Sequence, residues 1–326
     1  MLPSCTVHMQ QVYGDASLNA SENAFHIAFG IDENYARSMG VLMVSLQAAN
    51  PELPLIFHVI TESIKAEDLS KISALSETLH CLVNIYFISI EKSDLAKLPI
   101  TGHYSTAMYY RLLMPDILHS VTPRILYLDS DIICLGSLKE LGSLDLKGKT
   151  IAAASDIPKI VAEKVSELGL HNNFYFNSGM MLIDIARWNQ SDISTKVLAV
   201  LAEHYASFSL ADQDALNLVL AGDVLSLSPI WNQIYDLGQM SHDPVDGTVF
   251  LHYAGTVKPW RLSGRHRLSS WYRGFENVSP WAGLPLLPPK DYKEMEIYAR
   301  LSLKAGDLPT ALRLYWKYLI AKFHAR

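Results

Sequence analysis

The chain has 326 residues, with 27 Lys and Arg against 33 Asp and Glu; its formal net charge of −6 gives no general attraction to nucleic acid or anionic lipid. An apolar content of 49% is ample for a large α/β core with an appendage, yet no run approaches ~18 uncharged apolar residues, which argues against a membrane-spanning helix. The N-terminus lacks a charged region followed by an apolar block, so no secretory signal is expected, and the widely spaced Cys5, Cys81 and Cys134 read as reduced thiols of a cytoplasmic protein.

In chain order, residues 1–22 are polar and read as a flexible, irregular segment. Residues 24–29 form a first predicted strand, which runs into Gly30-Ile31-Asp32-Glu33-Asn34-Tyr35. A helix follows from about Ala36, with Met39, Leu42, Val44 and Leu46 inward, and stops at Asn50-Pro51. Residues 55–60 and 83–88 read as strands around a helix over 65–79, in which Leu69, Ile72 and Leu75 recur at helical spacing. Strands alternating with helices predict a doubly wound, parallel sheet, whose first loop is where such folds hold a nucleotide. Neither G-x-G-x-x-G nor G-x-x-x-x-G-K occurs, so neither a dinucleotide fingerprint nor a P-loop is supported.

A helix is predicted over 103–118, with Arg111 at its middle, and leads into Ile125-Leu126-Tyr127-Leu128, an uncharged run expected to be buried on both faces. Asp129-Ser130-Asp131 follows directly. In extended chain, residues two apart share a side, so Asp129 and Asp131 can converge on a hard cation such as Mg²⁺ or Mn²⁺ while Ser130 points away. The other reading is a pair of turn-forming aspartates. Residues 150–154 and 180–185 are further strands; the first ends in Ser155-Asp156, and Tyr175-Phe176-Asn177-Ser178-Gly179 precedes the second. After an amphipathic helix over 191–206, Asp212-Gln213-Asp214 open another helix. Capping accounts for Asp212 more readily than for the amide of Gln213 or the carboxylate of Asp214. A last strand over 249–253 carries His252, either a hydrogen-bonded structural histidine or a third ligand that would favour Mn²⁺. Gly255 permits close backbone approach to a phosphate, and Lys258 offers a point charge for it.

Residues 24–262 resemble the retaining glycosyltransferases of family 8, the GT-A fold enzymes that include glycogenin and the bacterial lipopolysaccharide core hexosyltransferases. The resemblance rests on the joint order of Gly30–Tyr35, Tyr110-Arg111-Leu112, Leu126–Asp131, Phe176–Gly179, Asp212-Gln213-Asp214 and His252-Tyr253-Ala254-Gly255 with Lys258-Pro259-Trp260. It implies a Rossmann-like mixed, mainly parallel sheet flanked by helices, a UDP-hexose donor (glucose or galactose), and Mn²⁺ or Mg²⁺ held by Asp129, Asp131 and His252. Asp32, Asn34 and Tyr35 would line the uridine end, with Gly30 and Ile31 also among the donor-binding residues. Lys258 and the Gly255 backbone would bind diphosphate, and Ser130 and Ser178 count among the donor-binding residues. Arg111, Asp156, Asn177 and Gln213 would surround the sugar, with Gln213, Asp156 and Asp212 as catalytic candidates. Ala254 departs from relatives that carry a larger residue there. Front-face attack by the acceptor hydroxyl and a covalent intermediate both stay open, as does glycogenin-like self-glucosylation or transfer to another soluble acceptor.

The organisation expected is a segment 1–22, a transferase domain 23–265 and a C-terminal helical extension 266–326. From Leu308 onward, Arg313, Lys317, Lys322 and Arg326 are interleaved with Tyr315, Trp316, Tyr318, Leu319 and Phe323, without an acid. Such a helix either lies on an anionic membrane surface or docks on its own domain. With the family resemblance, this favours a lipopolysaccharide core acceptor at the cytoplasmic face of the inner membrane, approached peripherally.

Overall fold

The apolar runs become strands whose alternate residues enter two separate cores. The computed structural model describes every residue except 1–4, 22, 92–94, 96–97, 99–104, 205–206, 239–242 and 325–326. Its strands are β1 (Thr6–Gly14), β2 (Phe25–Gly30), β3 (Leu55–Thr61), β4 (Leu82–Ser89), β5 (Arg124–Leu128), β6 (Ile132–Cys134), β7 (Ile151–Ala154), β8 (Met180–Asp184), β9 (Val224–Leu227), β10 (Gln233–Ile234) and β11 (Phe250–His252). Its helices are α1 (Ala36–Ala49), α2 (Ala66–Leu79), α3 (Met114–Leu118), α4 (Lys139–Gly142), α5 (Pro158–Leu168), α6 (Ile185–Gln190), α7 (Ile193–His204), α8 (Ala211–Val219), α9 (Ser269–Glu276), α10 (Tyr292–Lys304) and α11 (Leu308–His324).

The main sheet has the order β1-β4-β3-β2-β5-β8-β7-β9, and a small second sheet has the order β10-β11-β6. In β5, Leu126 and Leu128 face the core that holds Met39, Leu42 and Ile72 of α1 and α2. Ile125 and Tyr127 face the other core, which holds Leu118, Trp188, Val197 and Leu216 of α3, α6, α7 and α8. The period of two along a strand thus allots each side chain to one helical layer.

The sheet is mainly parallel and mixed, as expected from the family resemblance, but the simpler expectation of an all-parallel sheet needs correction. β1 runs antiparallel to β4, and β8 runs antiparallel to both β5 and β7. An apolar run buried on both faces does not encode its direction. Residues 6–14 are likewise not irregular. Thr6–Gly14 is an edge strand paired with β4 and exposed along most of its length, so that Val7, Met9 and Val12 enter neither core. Of the helix expected over 103–118, residues 103–104 lie outside the described part. The rest is a 3₁₀ segment (Thr106–Leu112) followed by the short α3, whose first turn contains Pro115. The strand at 249–253 joins β6 in the second sheet rather than extending the first.

The C-terminal segment is keyed into α1. Trp281 is buried against Gly40, where an added Cβ would stand 2.1 Å from the indole ring, and its Nε1 donates to Asp68 at 2.7 Å. Arg37 pairs with Glu276 at 2.7 Å, and both are buried. Beyond this anchor, α10 and α11 form a helical hairpin, in which the Tyr292 and Tyr318 rings lie 6.1 Å apart.

Candidate active site

The polar residues gather at one end of the sheet, past the C-terminal ends of β2, β5 and β7, where open α/β sheets bind ligands. Asp129, Ser130 and Asp131 form the turn between β5 and β6, so the two carboxylates converge across a turn rather than along extended chain. β11 pairs with β6 so that His252 stands opposite Ile132, and Tyr253 N–H donates to the Asp131 carbonyl at 2.9 Å. Sheet register therefore sets His252 beside Asp131. Asp129, Asp131 and His252 each present one ligand atom, and these atoms lie within 4.8 Å of one another.

Their chemistry fits a divalent cation. Asp131 Oδ1 is buried, lacks a hydrogen-bond donor, and lies 3.2 Å from His252 Nε2. Its other oxygen accepts from Lys258 Nζ at 2.6 Å. Burial alone would raise the Asp131 carboxyl; Lys258, then His252, outweigh burial and hold it well below the usual carboxylate range. Two carboxylates and one imidazole suit Mn²⁺ or Mg²⁺. Gly179 backs this cluster: an added Cβ would stand 2.5 Å from His252 Cε1 and 2.8 Å from Asp129 Oδ2. Gly179→Ala is therefore expected to displace both ligands and to lower turnover about a hundredfold, the scale of a ~1 Å misplacement. Turnover measured beside the melting temperature checks this; unchanged turnover in a folded variant would contradict it.

Arg111 is the electrostatic hub. Its guanidinium is buried, lies 4.6 Å from the Tyr127 ring centroid, and donates to the Ser178 carbonyl at 2.7 Å and to Ser178 Oγ at 2.9 Å. It reaches Asp129 Oδ1 at 3.2 Å and Asp212 Oδ2 at 3.0 Å. The second contact is an ion pair without a well-aligned hydrogen bond, because Arg111 Nε–H points to the Met108 carbonyl at 2.9 Å. Burial pushes the Asp212 carboxyl up to about 6 against the pull of Arg111. Arg111 is thus a buried, paired cation, not the surface cation that a charged residue in mid-helix usually is.

Next to this hub, Gln213 sits at the start of α8. Its Oε1 accepts from Ser178 N–H at 3.0 Å and Asn177 Nδ2 at 3.1 Å, while its Nε2 donates to Asp156 Oδ2 at 2.9 Å and Tyr175 OH at 3.2 Å. Asp156 also accepts from Asn177 Nδ2 at 3.0 Å. Ala211, just ahead, has φ +40°, a left-handed backbone that costs about 1 kcal/mol for an alanine. Asp214 faces away into the fold. It is fully buried between Tyr175 OH at 2.5 Å and Lys164 Nζ at 2.9 Å, and it takes Leu210 N–H at 3.0 Å. Asp214 thus braces the start of α8.

The loop after β2 lies at the same end of the sheet. Ile31 is buried, Asp32 Oδ1 accepts from Asn34 N–H at 2.8 Å, and Tyr35 packs edge-on against Trp260 with centroids 5.9 Å apart. Gly30 abuts Tyr110, where an added Cβ would lie 3.0 Å from Tyr110 Cβ. Gly255 has φ +96° and lies against Asp236, a few residues from Lys258. The residues singled out in the sequence thus meet at one end, with Ser130 buried in the turn between the two aspartates. Asn232, Tyr175 and Lys164 carry no motif, yet all three join the network.

The fold and the clustered acids define a GT-A glycosyltransferase architecture. The galactosyltransferase LgtC, solved in complex with donor and acceptor sugar analogues, superposes with a TM-score of 0.69 at 23% identity, covering 78% of this chain and 96% of that one. The chain belongs to glycosyl transferase family 8, whose model matches residues 26–264, and the family 8 C-terminal model matches residues 268–322. It is 32% identical over 322 residues to lipopolysaccharide 1,3-galactosyltransferase of Salmonella typhimurium, covering 93% of each chain. It is also 30% identical over 277 residues to lipopolysaccharide 1,2-glucosyltransferase of Escherichia coli K12, covering 82% of this chain and 81% of the relative.

Proposed function

We propose that the enzyme transfers a hexose, glucose or galactose, from a UDP-sugar to the growing lipopolysaccharide core, with retention of anomeric configuration, at the cytoplasmic face of the inner membrane. The observation that carries this reading is the convergence of Asp129, Asp131 and His252 beside Lys258, facing the cluster of Asp156, Asn177 and Gln213. A Mn²⁺ or Mg²⁺ ion bound to the first three would neutralise the diphosphate that leaves. Lys258 adds a buried cation for the same charge. Asp32, Asn34 and Tyr35 hold the uridine, and the Gly255 backbone flanks the diphosphate.

The carboxylates around the sugar favour front-face attack. A double-displacement transferase needs an acid free to reach the anomeric carbon. Asp214 is fully buried with both oxygens engaged, and Asp212 is paired with Arg111. Asp156, partly exposed, accepts from Gln213, Asn177 and its own neighbour Ile157 N–H. Gln213, whose amide is itself engaged by protein partners, therefore acts by holding Asp156 and Asn177 in place beside the sugar, and the acceptor hydroxyl loses its proton to the departing phosphate oxygen.

Release of UDP across a panel of UDP-hexoses, with and without truncated lipopolysaccharide and with and without chelator, tests this reading. Acceptor-stimulated UDP release that fails under chelation, with an α-linked product by NMR, is expected. A rise in the protein's own mass by hexose units would point instead to self-glucosylation.

The tail supplies the membrane part of the reading. Among the described residues, no helix is long and apolar enough to cross a membrane. The inner stripe of α11, Ala311 and Leu314, is buried against α10. Leu308, Leu312, Trp316, Leu319 and Phe323 lie exposed on one outer stripe, flanked by Arg313 and Lys317; Arg326 lies outside the described residues. Docking of Trp316 and Leu319 on the domain is thus not what the tail does. Burying a large apolar side chain is worth about 1.5–3 kcal/mol, so the double change Trp316→Ser, Phe323→Ser should weaken binding to anionic vesicles at least tenfold while sparing donor hydrolysis. Vesicle sedimentation reads it. Equal binding by both proteins would remove the tail from the membrane argument.

A further inference from the structure

We propose that Asn232 is a positioning residue that holds His252 as the Nδ1–H tautomer, presenting the Nε2 lone pair to Asp129 and Asp131, and that it links this orientation through Asn177 to the sugar-side amide of Gln213. The inference rests on the metal reading above and turns on Asn232, to which no motif points.

The direction of every hydrogen bond in this chain follows from two backbone donors. Ser178 N–H donates to Gln213 Oε1, and Gly179 N–H donates to Asn177 Oδ1, each at 3.0 Å. A backbone N–H only donates, so both side-chain atoms are carbonyl oxygens. The Asn177 amide nitrogen then faces Asp156 Oδ2 at 3.0 Å and Gln213 Oε1 at 3.1 Å, both acceptors, as it must. Asn177 Oδ1 lies 2.9 Å from the Asn232 side chain, which therefore presents its Nδ2 there. The remaining atom, Asn232 Oδ1, lies 3.0 Å from His252 Nδ1. An amide oxygen only accepts, so His252 Nδ1 carries a hydrogen, and in the neutral ring Nε2 then carries the lone pair.

That lone pair lies 3.2 Å from Asp131 Oδ1, an acceptor with no donor of its own. Two acceptors face each other across a gap that a cation would bridge. Asn232 and His252 are 2% and 3% exposed, so water offers the ring no easy alternative partner. A carbonyl or amide behind a ligating imidazole is the usual means of fixing its tautomer, and loss of such a partner costs ten- to a hundredfold in metal affinity. Here that partner is shared with the sugar cluster, so the ligand face and the transfer face are aligned by one hydrogen-bonded row.

The test uses two variants of the full chain. Asn232→Leu removes both hydrogen bonds at similar volume. Asn232→Asp keeps an acceptor for His252 Nδ1–H. In the metal-free protein at about pH 8, where an ordinary histidine is neutral, the ¹⁵N shifts of the ring, assigned with His252→Gln, report the tautomer directly. Wild type and Asn232→Asp are expected to hold Nδ1–H, whereas Asn232→Leu shifts toward Nε2–H, donating to Asp131. Mn²⁺ affinity by calorimetry should fall at least tenfold in Asn232→Leu and much less in Asn232→Asp. An Nε2–H tautomer in wild type overturns the inference. So does retention of Nδ1–H and full Mn²⁺ affinity in Asn232→Leu, or an equal loss in both variants. If wild type binds no Mn²⁺, the metal reading fails by itself and the tautomer arm still decides the role of Asn232.

Discussion

Asp131→Ala is expected to abolish metal-dependent transfer, a loss of three or more orders of magnitude in turnover. The change removes an oxygen ligand and also the partner of Lys258, whose Nζ lies 2.6 Å from it. Several kcal/mol of transition-state charge stabilisation go with the metal, and each 1.4 kcal/mol is tenfold in rate. Removing one partner of a buried pair also destabilises the fold by about 3–5 kcal/mol, so alanine alone confounds the two effects. Asp131→Asn, which keeps the shape and an oxygen acceptor for Lys258, separates them: it should stay folded while turnover still collapses. Mn²⁺ titration by calorimetry, circular dichroism and UDP release on the same samples give the answer. Near-normal turnover of either variant in saturating Mn²⁺ would refute the ligand assignment.

The second large effect is at Gln213. Gln213→Ala should lower the rate at least a hundredfold while leaving UDP affinity within a few-fold of wild type, since the side chain touches Asp156, Asn177, Ser178 and Tyr175 but none of Asp32, Asn34, Tyr35 and Lys258, the residues proposed for the uridine and the diphosphate. Losing interactions made only in the transition state lowers kcat and kcat/KM together. Gln213→Glu makes the sharper comparison. It retains an acceptor for Ser178 N–H but sets a second carboxylate where Nε2 now donates to Asp156 at 2.9 Å. Like charges so close raise one of the two pKa values. The variant should therefore regain activity as pH falls and the pair takes up a proton. A collapse of UDP affinity with normal turnover of bound donor would place Gln213 at the nucleotide instead.

Much of this site was legible from the residues alone, because its parts sit at the ends of recognisable apolar runs. Asp129 and Asp131 interrupt a stretch that is otherwise buried, and charge in such a stretch demands a partner. The direction of β8 was not legible, since Met180–Asp184 would be equally apolar read either way. Edge strand β1 was hidden because Val7, Met9 and Val12 stay exposed and mark no buried face. Lys164 did leave a trace: in α5 it follows Ile160 and Val161 at helical spacing, which puts a cation on the apolar stripe and so predicts an acid beneath it. Asn232 left none. A lone asparagine beside a tryptophan, at the end of a short 3₁₀ turn (Pro229–Asn232), acquires its role only through Asn177 and His252, from other parts of the chain.

The pairing of β6 with β11 also governs when the site can come into being. Asp131 and His252 are neighbours by sheet register, yet His252 is encoded far downstream, after the whole central sheet has been made. Contacts of such long sequence separation form late, because the intervening chain must first be ordered. During synthesis, a chain that has not yet emerged through β11 holds two facing aspartates and no imidazole, and Lys258 follows later still. Until that stretch is made the candidate ligand set is incomplete, so the end of the catalytic domain must close onto its middle before Asp129, Asp131 and His252 can meet.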